Sequence, residues 1–507
     1  LNTRLSNPDI EELASFGIEG VDSILRGGLP PYCLYVVSGT PGAGKTTLAL
    51  QFLLEGARVG ESCLYITLSE TRKEIEKVAL SHGWDLKGIT MREMMPSENR
   101  LGTTSELTVF NPSELELGET TEAMIAAVRE CRPSRVVIDS LSELRLVAQS
   151  ELRFRRQVLA LKQFFSGQSC TTLLLDDETA QTNDGQLESV AHGVIILEQI
   201  ANQYGAERRR LRVVKLRGVA FRGGYHDFVI RRGGLDVFPR LVAAEHVGEF
   251  PESLLPSGNS ELDTLLCGGL PAGTSTLLLG PAGTGKSTIA TQFCLTAAQR
   301  GERSAMFIFD ENLGTFRSRS RSLGISVDRH LDNGLITMQQ IDPAELSPGE
   351  FANAVRRAAL GKDASGRPAR VIVIDSLNGY LNAMPEEKYL TAQLHELLTF
   401  LGQQGVLTLM SVTQSGMLGH MHTPVDTTYL ADNVILFRYF EARGEVRRAV
   451  SVVKKRSGPH ELTIREMKVN EKGLTIGPPL VNFHGVLSGI PQMLVREEAE
   501  GKGDWGA

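Results

Sequence analysis

The pattern G-x-x-x-x-G-K-[ST] occurs twice in this chain. Gly39-Thr40-Pro41-Gly42-Ala43-Gly44-Lys45-Thr46 and Gly280-Pro281-Ala282-Gly283-Thr284-Gly285-Lys286-Ser287 both fit it. Nothing else in the sequence restricts the fold as tightly, because the pattern is a phosphate-binding loop between a strand and a helix. Its glycines let successive backbone N–H groups turn toward phosphate oxygens. The lysine ammonium neutralises charge on the β- and γ-phosphates, and the Thr or Ser hydroxyl helps hold Mg2+. The helix that follows points its positive end at the same anion. Candidate nucleotide contacts are Gly42, Ala43, Gly44, Lys45, Thr46 and Thr47 in the first copy. In the second they are Gly283, Thr284, Gly285, Lys286, Ser287 and Thr288. ATP and Mg2+ are the implied cofactors.

The two loops belong to a longer repeat. Lys45 and Lys286 differ by 286 − 45 = 241 positions. The same offset pairs Gly17 with Gly258, Asp22 with Asp263, and Gly28-Leu29-Pro30 with Gly269-Leu270-Pro271. It also pairs Gln51-Phe52 with Gln292-Phe293 and Glu70 with Glu311. Asp139 and Asp375 differ by 236, and Lys215 and Lys454 by 239, so short insertions separate the later segments. A period this long makes each repeat a whole domain. The expected organisation is a first domain over 1–244, a second over 245–487 and a short acidic tail over 488–507.

Each repeat reads as α/β, with a mostly parallel central sheet flanked by helices. Apolar strand-length runs precede the loops at Cys33 to Val37 and Ser275 to Leu279, and helical periodicity follows from Lys45 to Ala57 and Lys286 to Ala298. Further buried strands are expected at Ser62 to Leu68, Arg135 to Ser140 and Thr171 to Leu175. In the second repeat they are expected at Ala305 to Phe309, Val371 to Ser376 and Val406 to Met410. The stretches 193–230 and 433–469 alternate, as an antiparallel sheet edge does. Ligand loops belong at the carboxyl ends of the parallel strands.

Several charged residues follow these strands. Asp139 and Asp375 end hydrophobic strands downstream of a phosphate loop, the place of an aspartate that orients Mg2+; with Thr46 and Ser287 they are the candidate metal residues. Asp310-Glu311 and Ser69-Glu70 follow the next strand of each repeat. Glu70, Asp310 and Glu311 are candidate catalytic carboxylates, able to polarise the hydroxyl or water that attacks the γ-phosphate. Helix N-termini also favour acids, so a solvated pair is the competing account. Lys215-Leu216-Arg217 and Lys454-Lys455-Arg456 end matching strands. Alternation puts the outer cations of each triplet on one face, suited to a phosphate or to solvent at a sheet edge.

Composition excludes some classes. The net charge of −7 argues against a protein whose main task is to grip nucleic acid. The six cysteines are scattered, with no C-x-x-C pair, which fits free thiols in a reducing cytoplasm. No apolar run is long enough to span a membrane.

Taken together, the paired loops and acids resemble the KaiC family of circadian-clock ATPases, within the RecA-like superfamily. The resemblance extends over nearly the whole chain. It includes Gly83-Trp84-Asp85-Leu86, Ile138-Asp139-Ser140, Ile374-Asp375-Ser376, Lys215-Leu216-Arg217-Gly218, Tyr439 to Glu445 and Ile464-Arg465-Glu466. It implies tandem RecA-like domains that assemble as a two-tiered hexamer with ATP between neighbouring subunits. Lys215, Leu216 and Arg217, and Lys454, Lys455 and Arg456, would then reach the adjacent subunit's nucleotide, and Ser81 and Arg448 match further nucleotide contacts. It implies ATPase activity in the first domain, and serine/threonine autokinase and autophosphatase activity in the second. The phosphorylated Ser-Thr pair of that family falls on Thr428 and Tyr429 here, with Thr423 nearby. Glu188 occupies the matching place in the first repeat. Kai-type or other signalling proteins are the implied partners.

Three departures stand out. Ser69 replaces the first acid of the N-terminal pair, Tyr429 replaces a hydroxyl residue of a different kind, and the tail after Leu487 is short. Two other functions share the loops: a DNA-acting RecA-like motor, for which Arg317-Ser318-Arg319-Ser320-Arg321 is the best basic segment, and a signalling scaffold that binds ATP for assembly with little catalysis.

Overall fold

A computed structural model of the 507-residue chain describes residues 13–94, 112–177, 186–201, 205–382, 389–414, 429–471, 473–487 and 492–493. It divides into two compact units, Leu1–Arg240 and Leu241–Ala507.

In the first unit the strands are β1 (Leu34–Gly39), β2 (Cys63–Thr67), β3 (Ile89–Glu93), β4 (Arg135–Asp139), β5 (Thr171–Asp177), β6 (Gly193–Ile200), β7 (Arg208–Leu216), β8 (His226–Arg231) and β9 (Gly234–Phe238). They form one sheet in the order β3-β2-β4-β5-β1-β6-β7-β8-β9. The pairings from β3 to β6 are parallel, and those from β6 to β9 antiparallel. In the second unit the corresponding strands are β10 (Ser275–Gly280), β11 (Arg303–Ile308), β12 (Ile336–Gln340), β13 (Ala369–Asp375), β14 (Leu407–Thr413), β15 (Asn433–Ala442), β16 (Glu445–Lys455), β17 (Arg465–Asn470) and β18 (Gly473–Pro479). Their order is the same, nine numbers on. The mixed α/β sheets match two tandem RecA-like domains.

Strand β1 shows why the sequence folds this way. Leu34 and Val36 enter one buried cluster, and Tyr35 and Val37 the other, on the opposite face of the sheet. Period-2 geometry therefore buries every side chain of a continuous apolar run. One face is covered by helix Lys45–Arg58, through Leu48, Leu50, Phe52 and Leu53. The other is covered by helices Pro112–Cys131 and Glu151–Ser166, through Met124, Val128, Val158 and Leu161. Each such side chain contributes about 1.5–3 kcal/mol by leaving water. Helix Arg72–His82 starts at a capping box between Thr71 and Glu74 and stops at Gly83, in the left-handed conformation.

The order of strands positions the chemistry. Strand β5 lies between β1 and β4, so its carboxyl end separates the phosphate loop from Asp139. β14 holds the same place between β10 and β13.

Candidate active site

Both phosphate loops run from the end of a central strand into a helix. Helices Lys45–Arg58 and Lys286–Gln299 are N-capped by Gly44 and Gly285, with φ of 101° and 104°. A side chain there would be strained, and a Cβ on Gly44 would lie 2.7 Å from Ile230 Cδ1.

In the first unit Lys45 is buried. Its Nζ donates to the carbonyls of Gly39 and Thr40, each at 2.9 Å, and ion-pairs with Asp177 Oδ1 at 2.7 Å. Thr46 Oγ1 donates to Asp139 Oδ2 at 3.0 Å, and the Tyr65 hydroxyl donates to the same oxygen. Burial pushes the Asp139 carboxyl up, against the lowering effect of Tyr65 and Thr46. A hydroxyl and a buried carboxylate in contact at the head of the loop form an all-oxygen donor set, which fits Mg2+. Among the described residues no three His, Cys, Asp or Glu side chains converge to hold a metal alone. That also fits Mg2+, which takes one or two carboxylates and fills its shell with phosphate and water oxygens.

Glu70 lies beside this group. Its backbone N–H donates to Thr67 Oγ1 at 3.0 Å, and its Oε2 is buried without a hydrogen-bond partner. Burial raises its pKa, and the charges of Asp139, Glu74 and Asp177 raise it further. A carboxylate so placed accepts a proton more readily.

The second unit repeats the loop with different neighbours. Lys286 Nζ donates to the carbonyls of Gly280 at 2.8 Å and Pro281 at 2.7 Å. Burial pushes its ammonium down to about 8, and Asp375 opposes the shift. Asp375 accepts a hydrogen bond from Ser411. The two expected acids separate here. Asp310 accepts from Ser376 Oγ at 2.8 Å, next to Asp375, whereas Glu311 is gripped at both oxygens by Arg319, at 3.0 and 2.9 Å. Arg448 Nε donates to the Gly283 carbonyl at 3.2 Å, and the Tyr439 hydroxyl to Ala282 at 3.1 Å. Tyr439 and Arg448 are cross-strand partners on β15 and β16, so both reach the loop from one place. Gln199 and Arg209 form the matching pair in the first unit.

The basic triplets lie elsewhere. Leu216 pairs with Gly193, which pairs with Tyr35 at the start of β1, while the loop follows its end. Four residues at ~3.3 Å each put the triplet about 13 Å along the sheet from its own chain's loop. Lys215 Nζ donates to the Glu188 carbonyl at 2.7 Å, and Lys454 Nζ to Ala431 at 2.7 Å. Lys455 Nζ donates to the Leu266 carbonyl at 2.5 Å, and Arg456 to Asp432 Oδ1 at 3.0 Å. Ser81 is exposed near the end of its helix and donates to the Val78 carbonyl at 2.7 Å. Thr423 and Thr428 fall outside the described residues, and Tyr429 is exposed.

The run from Arg317 to Arg321 is internally neutralised. Arg317 pairs with Asp328 and Asp332, Arg319 with Glu311, and Arg321 with Asp328. Cations already held by carboxylates on the same chain make a poor strip for a nucleic-acid backbone.

Asp176 and Asp177 escape a search for apolar runs, because β5 continues two residues past Leu175, where that run stops. Asp176 is buried against Arg145, and Asp177 reaches Lys45. The repeat offset could have exposed Asp177. The 236 positions that relate Asp139 to Asp375 relate it to Thr413 (413 − 177 = 236), a carboxylate against a hydroxyl.

Comparison with known proteins agrees with this geometry. A family model described as "ATPase: KaiC" matches residues 14–242 and again 255–481. The chain is similar to the "Circadian clock oscillator protein KaiC" of Thermostichus vulcanus, with 28% identity over 504 residues, covering 98% of this chain and 95% of that protein. It is similar to the "Circadian clock protein KaiC3" of a Synechocystis species, with 28% identity over 499 residues, covering 97% and 96%. Among the described residues no helix is long and apolar enough to cross a membrane. With both repeats matched from before each phosphate loop to the last strands of each sheet, the chain belongs to the KaiC family of ATPases.

Proposed function

We propose that this KaiC-family ATPase is a ring-forming enzyme whose two ATP sites have different tasks. The N-terminal site hydrolyses ATP, and the C-terminal site also transfers the γ-phosphoryl group to a hydroxyl at Thr428. One observation carries the reading. Each loop has its lysine, hydroxyl and strand-end aspartate at the carboxyl ends of the parallel strands, and its basic triplet lies toward their amino ends. A triplet that cannot serve its own chain's phosphates suits those of an adjacent copy, which favours a homo-oligomer, a hexamer by family resemblance, with ATP at its interfaces.

In the N-terminal site the loop amides and Lys45 hold the phosphates. Thr46 and Asp139, and Ser287 and Asp375 in the second site, would hold Mg2+, which when bound would neutralise charge on the phosphate oxygens. Glu70 orients the attacking water. As the water oxygen bonds to the γ-phosphorus, the bond to the ADP oxygen breaks, ADP keeps the electron pair and the water proton passes to Glu70. In the C-terminal site a Thr428 hydroxyl takes the water's place and gives its proton to Asp310, while Glu311 stays paired with Arg319. Ser81 and Arg448 would add nucleotide contacts, and Thr423 and Tyr429 are neighbouring acceptors of lower rank.

Incubation with γ-labelled ATP followed by phosphopeptide mapping tests the transfer. Label on the peptide that contains Thr428, lost in Thr428→Ala, is the expected result. A protein that turns over ATP but carries no label there contradicts the kinase assignment and leaves an ATPase.

A further inference from the structure

The two sites differ by a reciprocal exchange of one carboxylate. In the second unit Asp310 follows β11 and is held by Ser376, the serine after the strand-end aspartate, at 2.8 Å. The residue at the end of β14 there is Thr413. In the first unit the residue at the place of Asp310 is Ser69, and the residue at the place of Thr413 is Asp177.

Registers and bonding establish the second equivalence. Gly39 pairs with Asp177, as Gly280 pairs with Thr413. Ser142 Oγ accepts from the Asp177 backbone N–H at 3.3 Å, as Asn378 Oδ1 accepts from the Thr413 N–H at 2.7 Å. The serine contacts exchange with the carboxylate. Ser140, the counterpart of Ser376, donates to Asp177 Oδ2 at 3.3 Å and meets Ser142 Oγ at 2.8 Å, and Ser142 donates to the same carboxylate oxygen at 2.9 Å.

We propose that Asp177 supplies the second carboxylate of the N-terminal ATP site, in place of the acid that Asp310 provides in the C-terminal site and that Ser69 does not. It approaches from β5 instead of from the loop after β2, and the same serine position holds it. Its charge raises the pKa of both Glu70 and Asp139. Burial works against its ionisation, yet Lys45 and the Ser142 and Ser140 hydroxyls together keep its pKa below the ordinary carboxylate value. Asp177 is a positioning residue. Its charge helps to raise the Glu70 pKa, which sustains the basicity of Glu70 toward the attacking water, and its Oδ1 pairs with Lys45 Nζ at 2.7 Å.

The inference rests on hydrolysis at the N-terminal site, and the test separates the two. Lys286→Ala silences the second site and serves as parent. In that background, Asp177→Asn lowers kcat for phosphate release by about tenfold to hundredfold, within the range of a lost acid–base contribution, and leaves KM for ATP within about threefold. Adding Ser69→Asp places a carboxylate where Ser140 can hold it, as Ser376 holds Asp310, and restores most of the loss. Undiminished turnover in Asp177→Asn overturns the proposal. So does a loss that Ser69→Asp leaves unrepaired, or one that appears as failed ATP binding, because Asp177 would then only brace the loop. A parent that releases no phosphate overturns the hydrolysis assignment and this proposal together, whereas an undiminished Asp177→Asn on an active parent overturns this proposal alone.

Discussion

Single residues decide how the two halves diverge, and their chemistry was only partly legible in the sequence. Lys45, Thr46 and Asp139, and their counterparts Lys286 and Asp375, follow from motif and strand position alone, because strand order brings these segments together. Asp177 was hidden because it acts from a strand end that composition does not mark. The Glu311–Arg319 pair was hidden because a side chain eight residues away chooses between solvent and a carboxylate only in three dimensions. A further residue of this kind is His226, fully buried on β8. Its Nε2 donates to the Arg222 carbonyl at 3.0 Å, and its Nδ1 accepts from the Arg240 N–H at 2.9 Å, which fixes the neutral ring. Burial, aided by the Arg222 and Arg240 charges, pushes its pKa down to about 4. The unfolded chain protonates this ring near pH 6.5, so the unfolded state takes up the proton first. The stability that neutral His226 confers is therefore intact above pH ~6.5 and falls as pH drops toward 4, by up to about 3 kcal/mol. Chemical denaturation at pH 7 and pH 4.5 should show this loss in the first unit and a shallower one in His226→Gln. Equal slopes would contradict it.

At the scale of elements, the strands and helices around each loop were legible because continuous apolar runs bounded by glycines admit few alternatives. Helix Lys45–Arg58 ends within one residue of its expected end, and β10 continues by one glycine. The antiparallel edge announced itself by alternation, although its register did not. Both β6–β7 and β15–β16 contain a register shift beside the basic triplet, which no periodicity reveals. How elements dock was also unreadable, because it depends on close approaches. Helix Glu19–Ile24 lies against β9 through Gly20, where a Cβ would come within 2.0 Å of the Val237 carbonyl oxygen. Gly20→Ala forces the helix off the sheet and should destabilise the first unit by about 1–3 kcal/mol in urea unfolding, despite the better helix propensity of alanine. An unchanged midpoint would mean that the helix docks with slack.

At the scale of the whole molecule, duplication was the easiest feature to read and the most incomplete. A constant offset reveals two copies of one fold, and the sheets repeat strand for strand. It does not reveal that the copies carry different carboxylates around the same cradle. In the first unit Asp177 pairs with the loop lysine. In the second, Lys286 makes its hydrogen bonds to loop carbonyls, and Tyr439 and Arg448 close over the loop. On the proposed function these unequal sites divide the work, with hydrolysis in the first and phosphoryl transfer in the second. Steady-state phosphate release and γ-label incorporation, measured side by side for Lys45→Ala, Lys286→Ala and the double variant, test it most directly. Lys286→Ala should keep most of the phosphate release and lose the label. Lys45→Ala should lose most of the release, and the double variant should show neither release nor label. Phosphate release that survives in the double variant, or that falls equally in the two single variants, would contradict it.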